Sequence, residues 1–355
     1  MSDSFKQLIR IIVVSTIVGA ASGTFWAALT TTHLSDYALE LGRLAEPLRI
    51  AEERPRAFPS SYEEALDQLA EEALPAVAML TTARDAEVVS LYDERFEPAL
   101  VLTSDGWMLS LDDSAQVQRA VTTNGVCEAV LREQDALTGA VFYRCDDQSL
   151  PVVAFGSGFD VEVGEQLFVV GASDNIIHSE VVQVSWGVDA SVSSDKPSRR
   201  IILSTSAVSQ VGAGVFDLSS KLVGIVEGVT PTGVSVLPID SVLAGFNSLL
   251  KNDEFSRASL GVNAVNLSTS LVPDVLGIPR SYGALLYGAG AVEFGSAAAD
   301  AGLLRGDIIL SIDHNDINAS RSLDERLLDY QPLDEVVLMI ERDGEEIEVA
   351  VTLGE

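Results

Sequence analysis

Three regimes of hydrophobic patterning follow one another along the chain. From Ile11 to Ser35 no Asp, Glu, Lys or Arg interrupts an apolar run that opens Ile11-Ile12-Val13-Val14 and continues through Phe25-Trp26-Ala27-Ala28-Leu29. As a helix this run exceeds the ~30 Å hydrocarbon thickness of a bilayer, which predicts a transmembrane anchor over 11–35. Lys6 and Arg10 precede the run, and Asp36 and Glu40 are among the first charges after it. The positive-inside rule then keeps the N-terminus cytoplasmic and puts the bulk of a single-pass chain outside. A cleaved signal peptide is the competing reading; the length of the run and the lack of a clear small-x-small exit favour a retained anchor.

The second regime is helical. Leu39, Leu44 and Leu48, then Tyr62, Leu66 and Leu69 beyond Pro55 and Pro59, recur at helical spacing among acidic residues. They predict a stalk helix, a break and a second amphipathic helix: a helical linker over 36–73 that spaces the globular part from the membrane. The third regime, from Leu74 onward, is short strands and turns. Ala76–Leu80, Glu87–Tyr92, Ala99–Leu102, Val152–Phe155 and Gln166–Gly171 read as strands, and strands recurring between turn signals indicate a barrel or sandwich. Ser209-Gln210-Val211-Gly212-Ala213-Gly214 reads as a tight loop in which Gly212 and Gly214 supply positive φ, leading into a hairpin from Val215 to Val226 turned by Ser219-Ser220. Gly233–Asp240 is a strand, and Ser241–Leu250 is an amphipathic helix that closes the domain.

Composition narrows the function. A length of 355 residues with 47% hydrophobic side chains suffices for two real cores. The formal net charge of −31 gives a surface that repels phosphate backbones, which excludes nucleic acid as a partner. The three histidines, His33, His178 and His314, share no metal-ligand spacing with each other or with cysteine, so neither a metal site nor a cofactor is expected. Cys127 and Cys145 flank a hairpin centred near Ala136. A cross-strand disulfide there would stabilise by about 3 kcal/mol in an oxidising compartment; two buried free thiols are the other reading.

The order of segments resembles the HtrA/Deg family of trypsin-like serine proteases with a C-terminal PDZ domain. Ala99–Ser110 is similar to the strand-turn-strand that leads to that family's catalytic histidine, Leu150–Glu165 to its LP…LG…VG(E/D) segment, and Gly233–Ile239 to the strand lining its cleft. The resemblance implies a mainly β chain with a trypsin-like double six-stranded β-barrel over 74–252, an α+β PDZ domain over 258–355, a part in protein quality control and homo-oligomers, trimers in particular. Carried over residue by residue, the family's TNxHV falls on Ser110–Ser114 and puts Asp113 at the general base. DxxxDLAVLK falls on Asp135–Arg144 and puts Gly139 at the orienting acid. GNSGGP falls on Ser209–Gly214 and puts Val211 at the nucleophile. Acyl transfer needs a hydroxyl or thiol activated by an oriented imidazole, and valine has neither, so the expectation is a pseudoprotease in which Val211 repacks the cleft. Ser209 is the alternative nucleophile and His178 the only histidine to set beside it, although His178 falls in the strand-connecting stretch Asp174–His178.

The PDZ resemblance is the more specific. Ser259-Leu260-Gly261-Val262 matches the carboxylate-binding loop, Gly295–Ile312 the central helix, turn and strand, and Val336–Leu353 the closing hairpin. Gly261 lets successive N–H groups face a terminal carboxylate, and the strand through Val265 offers an edge to an extended peptide. Leu323 and Leu327, on a helix expected over Ser322–Tyr330, would wall a pocket for the last side chain, or are simply core. Arg257 and Arg305 read as surface charges that could favour an acidic peptide. The expected function is a membrane-anchored, extracytoplasmic scaffold, adaptor or sensor that binds hydrophobic C-terminal peptides; the alternatives are an active but aberrant serine endopeptidase and a structural component of a membrane assembly.

Overall fold

The computed structural model describes residues 59–82, 96–111, 117–146, 149–172, 175–186, 191–204, 210–271 and 277–355. The expected anchor, the first part of the linker, the expected strand Glu87–Tyr92, Asp113 and Ser209 lie outside these residues. Among the described residues no helix is long and apolar enough to cross a membrane.

Helix α1 (Tyr62–Glu72) begins at Ser61, whose side chain accepts the Glu64 N–H at 3.1 Å. Its apolar stripe does not serve as a spacer. Ala65 and Leu69 are buried in one cluster with Leu100, Trp107, Phe142 and Phe246, so this part of the expected linker belongs to the barrel body. The i, i+4 spacing of Ala65 and Leu69 makes a face narrow enough to dock between strands, and periodicity alone does not tell a docked helix from a stalk.

The next strands close into a first barrel. β1 (Val77–Thr81), β2 (Glu97–Val101), β3 (Trp107–Ser110), β4 (Val117–Thr122), β5 (Gly125–Gln134) and β6 (Val141–Cys145) close in the order β1-β2-β3-β6-β5-β4. Ala78, Leu80, Ala99, Val101, Met108, Ala129, Val141 and Tyr143 fill the interior. Cys145 lies opposite Ala129 on β5 and is joined to Cys127 by a disulfide with a Cα–Cα distance of 6.1 Å.

The second barrel uses β7 (Ala154–Phe155), β8 (Gln166–Val170), β9 (Ile176–Ser185), β11 (Arg200–Leu203), β12 (Gly214–Phe216), β13 (Lys221–Thr230) and β14 (Gly233–Pro238), while β10 (Val192–Ser193) leaves it. Strands run β12-β8-β9-β11-β14-β13, and pairing of β12 with β13 closes the ring, with β7 parallel to β13 outside it. Helix α2 (Asp240–Asn252) then lays Val242, Phe246 and Leu249 into the cluster shared with α1 and both barrels.

The C-terminal sheet contains β15 (Asn263–Asn266), β16 (Ala284–Leu286), β17 (Ile308–Ile312), β18 (Asn315–Asp316), β19 (Glu335–Arg342) and β20 (Glu345–Thr352), with short helices α3 (Ala297–Asp300) and α4 (Leu323–Leu327). Its order is β10-β15-β16-β17-β19-β20, so the edge strand comes from the barrel segment. Helix α4 is shorter than the span expected from Ser322 to Tyr330; Ser322 and Glu325 form a reciprocal capping box at its start.

Leu69→Ala should lower stability by ~2–5 kcal/mol, read from the urea midpoint; a loss below ~0.5 kcal/mol would return α1 to a spacer role. Reduction of Cys127–Cys145 should cost about 3 kcal/mol in the same assay, with no loss if the disulfide closes no constrained loop.

Candidate functional site

The loop carrying Val211 is pinned by its own backbone. Gly212, at φ 87°, donates its N–H to Val226 O at 2.8 Å, and the Val226 N–H returns to Ala213 O at 2.9 Å. Gln210 Oε1 accepts the Ala172 N–H at 2.9 Å, which fixes the near side of the loop. Only one of the two glycines has the expected positive φ: Gly214 begins β12, where an added Cβ would lie 2.7 Å from the Phe216 ring, so its role is close packing. A Cβ on Gly212 would lie 3.3 Å from Pro98 O and 3.6 Å from Leu111 N, which sets this loop against β2 and the end of β3. Val211 itself is 39% exposed, so it does not repack the cleft as expected.

The other triad positions behave differently. Gly139, at φ 75°, closes the β5–β6 turn by donating to Asp135 O at 2.8 Å and has no neighbour within 4 Å of an added Cβ. His178 is the third residue of β9, not part of a connection; it is exposed and packs on Tyr62 and Phe168, with ring centroids 5.2 and 5.8 Å away. Asp135, which sequence reasoning did not single out, carries more of the local structure than Gly139. Its buried carboxylate accepts from Leu137 N at 3.0 Å, from the Thr138 hydroxyl and from Arg257 Nη2 at 2.6 Å. Arg257 also donates to Ser241 O at 2.6 Å, at the start of α2. It is therefore a largely covered tie, 10% exposed, between the first barrel and the approach to the PDZ domain and not the expected surface charge, because burying Asp135 requires a cationic partner.

In the PDZ groove the predicted residues separate. Ser259 bridges to Gly354 in both directions, at 3.0 and 2.8 Å, and so anchors the end of the chain. The inward-facing amides belong to Leu260, Gly261 and Val262. Gly261 sits at φ 75°, and a Cβ there would meet Ser296 Cβ at 2.3 Å, so only glycine fits this curl. Leu260, Val262, Val265, Leu323 and Leu327 are all buried. Leu323 and Val265, but not Leu327, line a cavity of about 280 Å³ shared with Trp186, Val192 and Ser194. Arg305 is exposed, with its guanidinium 5.9 Å from the Tyr287 ring centroid.

Opposite these residues lies barrel chain that the sequence did not mark. β10 pairs antiparallel with β15, setting Val192 against Ala264 and Ser193 against Asn263. Ser194 N donates to Val262 O at 2.8 Å, and Val262 N donates to Ser194 Oγ at 3.2 Å. The Asp195 carboxylate accepts from Leu260 N at 2.9 Å and from Gly261 N at 3.0 Å. A second attachment follows. Ser198 N and Oγ reach Asp324 Oδ2 at 2.9 and 2.7 Å, and buried Arg199 donates to Glu325 Oε1 at 2.8 Å and stacks on Trp186 at 4.9 Å. Burial raises the Glu325 carboxyl above its ordinary value, outweighing the attraction of Arg199. Two-residue strands and single turns carry no periodicity, which is why this segment was not legible.

Comparison with known proteins bears on the whole arrangement. A family model described as a PDZ domain matches residues 258–353. A protein of Halomonas elongata named probable periplasmic serine endoprotease DegP-like is 24% identical, over 81% of this chain and 70% of that protein. One of the same name from Rickettsia prowazekii is 26% identical over 63% of this chain and 45% of its own length, so the chain spans about half of that relative. Among solved structures, HtrA-type protease AlgW with a tripeptide matches at TM-score 0.59 and 20% identity, covering 81% of this chain and 96% of that one. AlgW with a decapeptide matches at TM-score 0.56 and 18% identity, covering 82% and 98%. Residues 258–353 are thus a PDZ domain, and the chain as a whole is similar to the DegP-like proteins and shares the fold of the HtrA-type proteases: a trypsin-like double barrel followed by that domain.

Proposed function

We propose that this chain is a membrane-anchored, extracytoplasmic pseudoprotease that binds hydrophobic C-terminal peptides through its PDZ groove and acts as a scaffold, adaptor or sensor. The observation that carries the reading is Val211. By the family resemblance it falls where the nucleophile would be, on a loop tied by the Gly212–Val226 and Val226–Ala213 hydrogen bonds, and its side chain has no atom that can attack a carbonyl. Gly139 likewise offers no carboxylate to orient a base. The periplasmic names of the relatives support the extracytoplasmic placement, and an anchor over 11–35 agrees with it. The AlgW structures hold a tripeptide or a decapeptide, which supports the groove as a peptide site. Assembly into homo-oligomers is part of the proposal.

The relatives' names, which include serine endoprotease, favour a second reading in which Ser209 is a displaced nucleophile. The two readings part on reactivity. The purified chain should leave unfolded casein intact and take up no fluorophosphonate probe; labelling that disappears in Ser209→Ala would establish the endopeptidase instead. In a fluorescence anisotropy titration, a labelled decapeptide ending in valine should saturate the full chain at submillimolar concentration, whereas its C-terminal amide should bind at least ~10-fold more weakly because the terminal charge is lost. Equal binding of acid and amide would remove terminal-carboxylate recognition.

A further inference from the structure

We infer that Val192–Asp195 is an internal ligand of the PDZ groove, in which the Asp195 side chain stands in for the carboxylate that a peptide would present at its end. The inference rests on the reading of the groove as a peptide site. It adds an occupant, the chain itself, and widens the ligand class to internal segments that place an aspartate two residues past the paired strand.

The strand-pairing and carboxylate attachments that an extended peptide makes are filled from within the chain. An edge strand leaves its amides and carbonyls unpaired until something adds to it. Here β10 adds to β15 in antiparallel register, and the Ser194–Val262 bonds extend the ladder by one residue toward the loop. At that point a peptide would end, and its terminal oxygens would meet the curled backbone amides. This chain continues through Lys196 and Pro197, so it cannot present a terminus. It turns instead, with Lys196 N donating to Ser193 O at 3.4 Å, and sends the Asp195 side chain to the Leu260 and Gly261 amides. The Ser194 hydroxyl donates to Asp195 Oδ1 at 2.6 Å while accepting from Val262, so the same residue orients the carboxylate and continues the ladder.

Competition follows from stereochemistry. The Leu260 and Gly261 amides cannot serve Asp195 and an incoming carboxylate together, and two carboxylates at one set of donors repel. The internal segment is also an incomplete fit. It sets serine, not a large apolar residue, beside the groove and leaves the cavity of about 280 Å³ bordered by Val265 and Leu323. A ligand with a bulky apolar side chain would bury surface there that the serine leaves unburied. Ser198 on Asp324 and Arg199 on Glu325 hold the far end of the segment to α4, the helix beside the groove, so displacement acts against two attachments joined by a few residues.

The test uses the full chain with Asp195→Ala, and Asp195→Asn as a near-isosteric second variant. In the wild type the Leu260 and Gly261 amides should be protected from hydrogen exchange, and in both variants they should exchange at least ~10-fold faster. A labelled peptide of sequence 190–197, amidated at its C-terminus, should bind the Asp195→Ala chain at least ~10-fold more tightly than the wild type, because the groove is no longer partly occupied. The same peptide with asparagine in place of the aspartate should lose at least ~10-fold in affinity for that variant. Unchanged exchange in both variants, or equal binding of the aspartate and asparagine peptides, overturns the inference. If the internal peptide behaves as expected while tails ending in valine bind neither form, the internal ligand stands and the hydrophobic-tail reading of the groove falls.

Discussion

Phe246 holds the protease-like half of this molecule together. Its ring stacks on Phe142 of the first barrel at 5.2 Å and meets Trp107 edge-on at 5.9 Å, and the same buried cluster takes in Phe168 and Phe216 of the second barrel with Leu69 of α1. Ring geometry adds only ~0.5–1.5 kcal/mol per aromatic pair. Removing several large apolar side chains from water contributes ~1.5–3 kcal/mol each, and that burial is the larger effect. Two barrels, each with an interior of its own, thus share one further buried cluster with a preceding and a following helix. The loop bearing Val211 sits against the end of β3 because the barrels are held in this register, whether or not chemistry takes place between them.

The core and the groove were unequally legible. Short continuous apolar runs marked β2, β8 and β14, because each of these strands is buried on both faces along almost its whole length. The closing hairpin of the PDZ domain was equally clear, since β19 and β20 are each eight residues long. Legibility failed where a single interaction sets the structure. Arg257 looked like a surface charge because nothing local reveals a partner 122 residues away in sequence. Gly214 looked like a turn residue, and only the nearness of Phe216 and Leu100 shows that its missing side chain is a matter of space. Helix α1 had the right periodicity and the wrong expected neighbour.

The groove gives the sharpest contrast. The loop Ser259–Val262 stood out in the sequence by its glycine, and in the structure the Leu260 and Gly261 amides meet Asp195 while Ser259 pairs with Gly354. The occupant did not stand out, because Val192-Ser193-Ser194-Asp195 is too short and too polar to announce a strand. Asp195 is one of 53 acidic residues in a strongly negative chain, and composition does not distinguish a carboxylate held by two amides from one in water.

Covalent connection between occupant and groove has a quantitative consequence. A segment of the same chain, here 65 residues from its site through a folded barrel, meets that site at an effective concentration set by the fold and not by how dilute the protein is. The groove is therefore never offered to the surroundings at its intrinsic affinity: any outside peptide competes with a reservoir that dilution does not lower. On the proposed reading of the groove as a peptide site, weak encounters with chain ends would go unregistered, and only a peptide abundant enough, or well enough fitted to the cavity beside Leu323, would cross the threshold. The tether converts a binding site into a discriminator of dose.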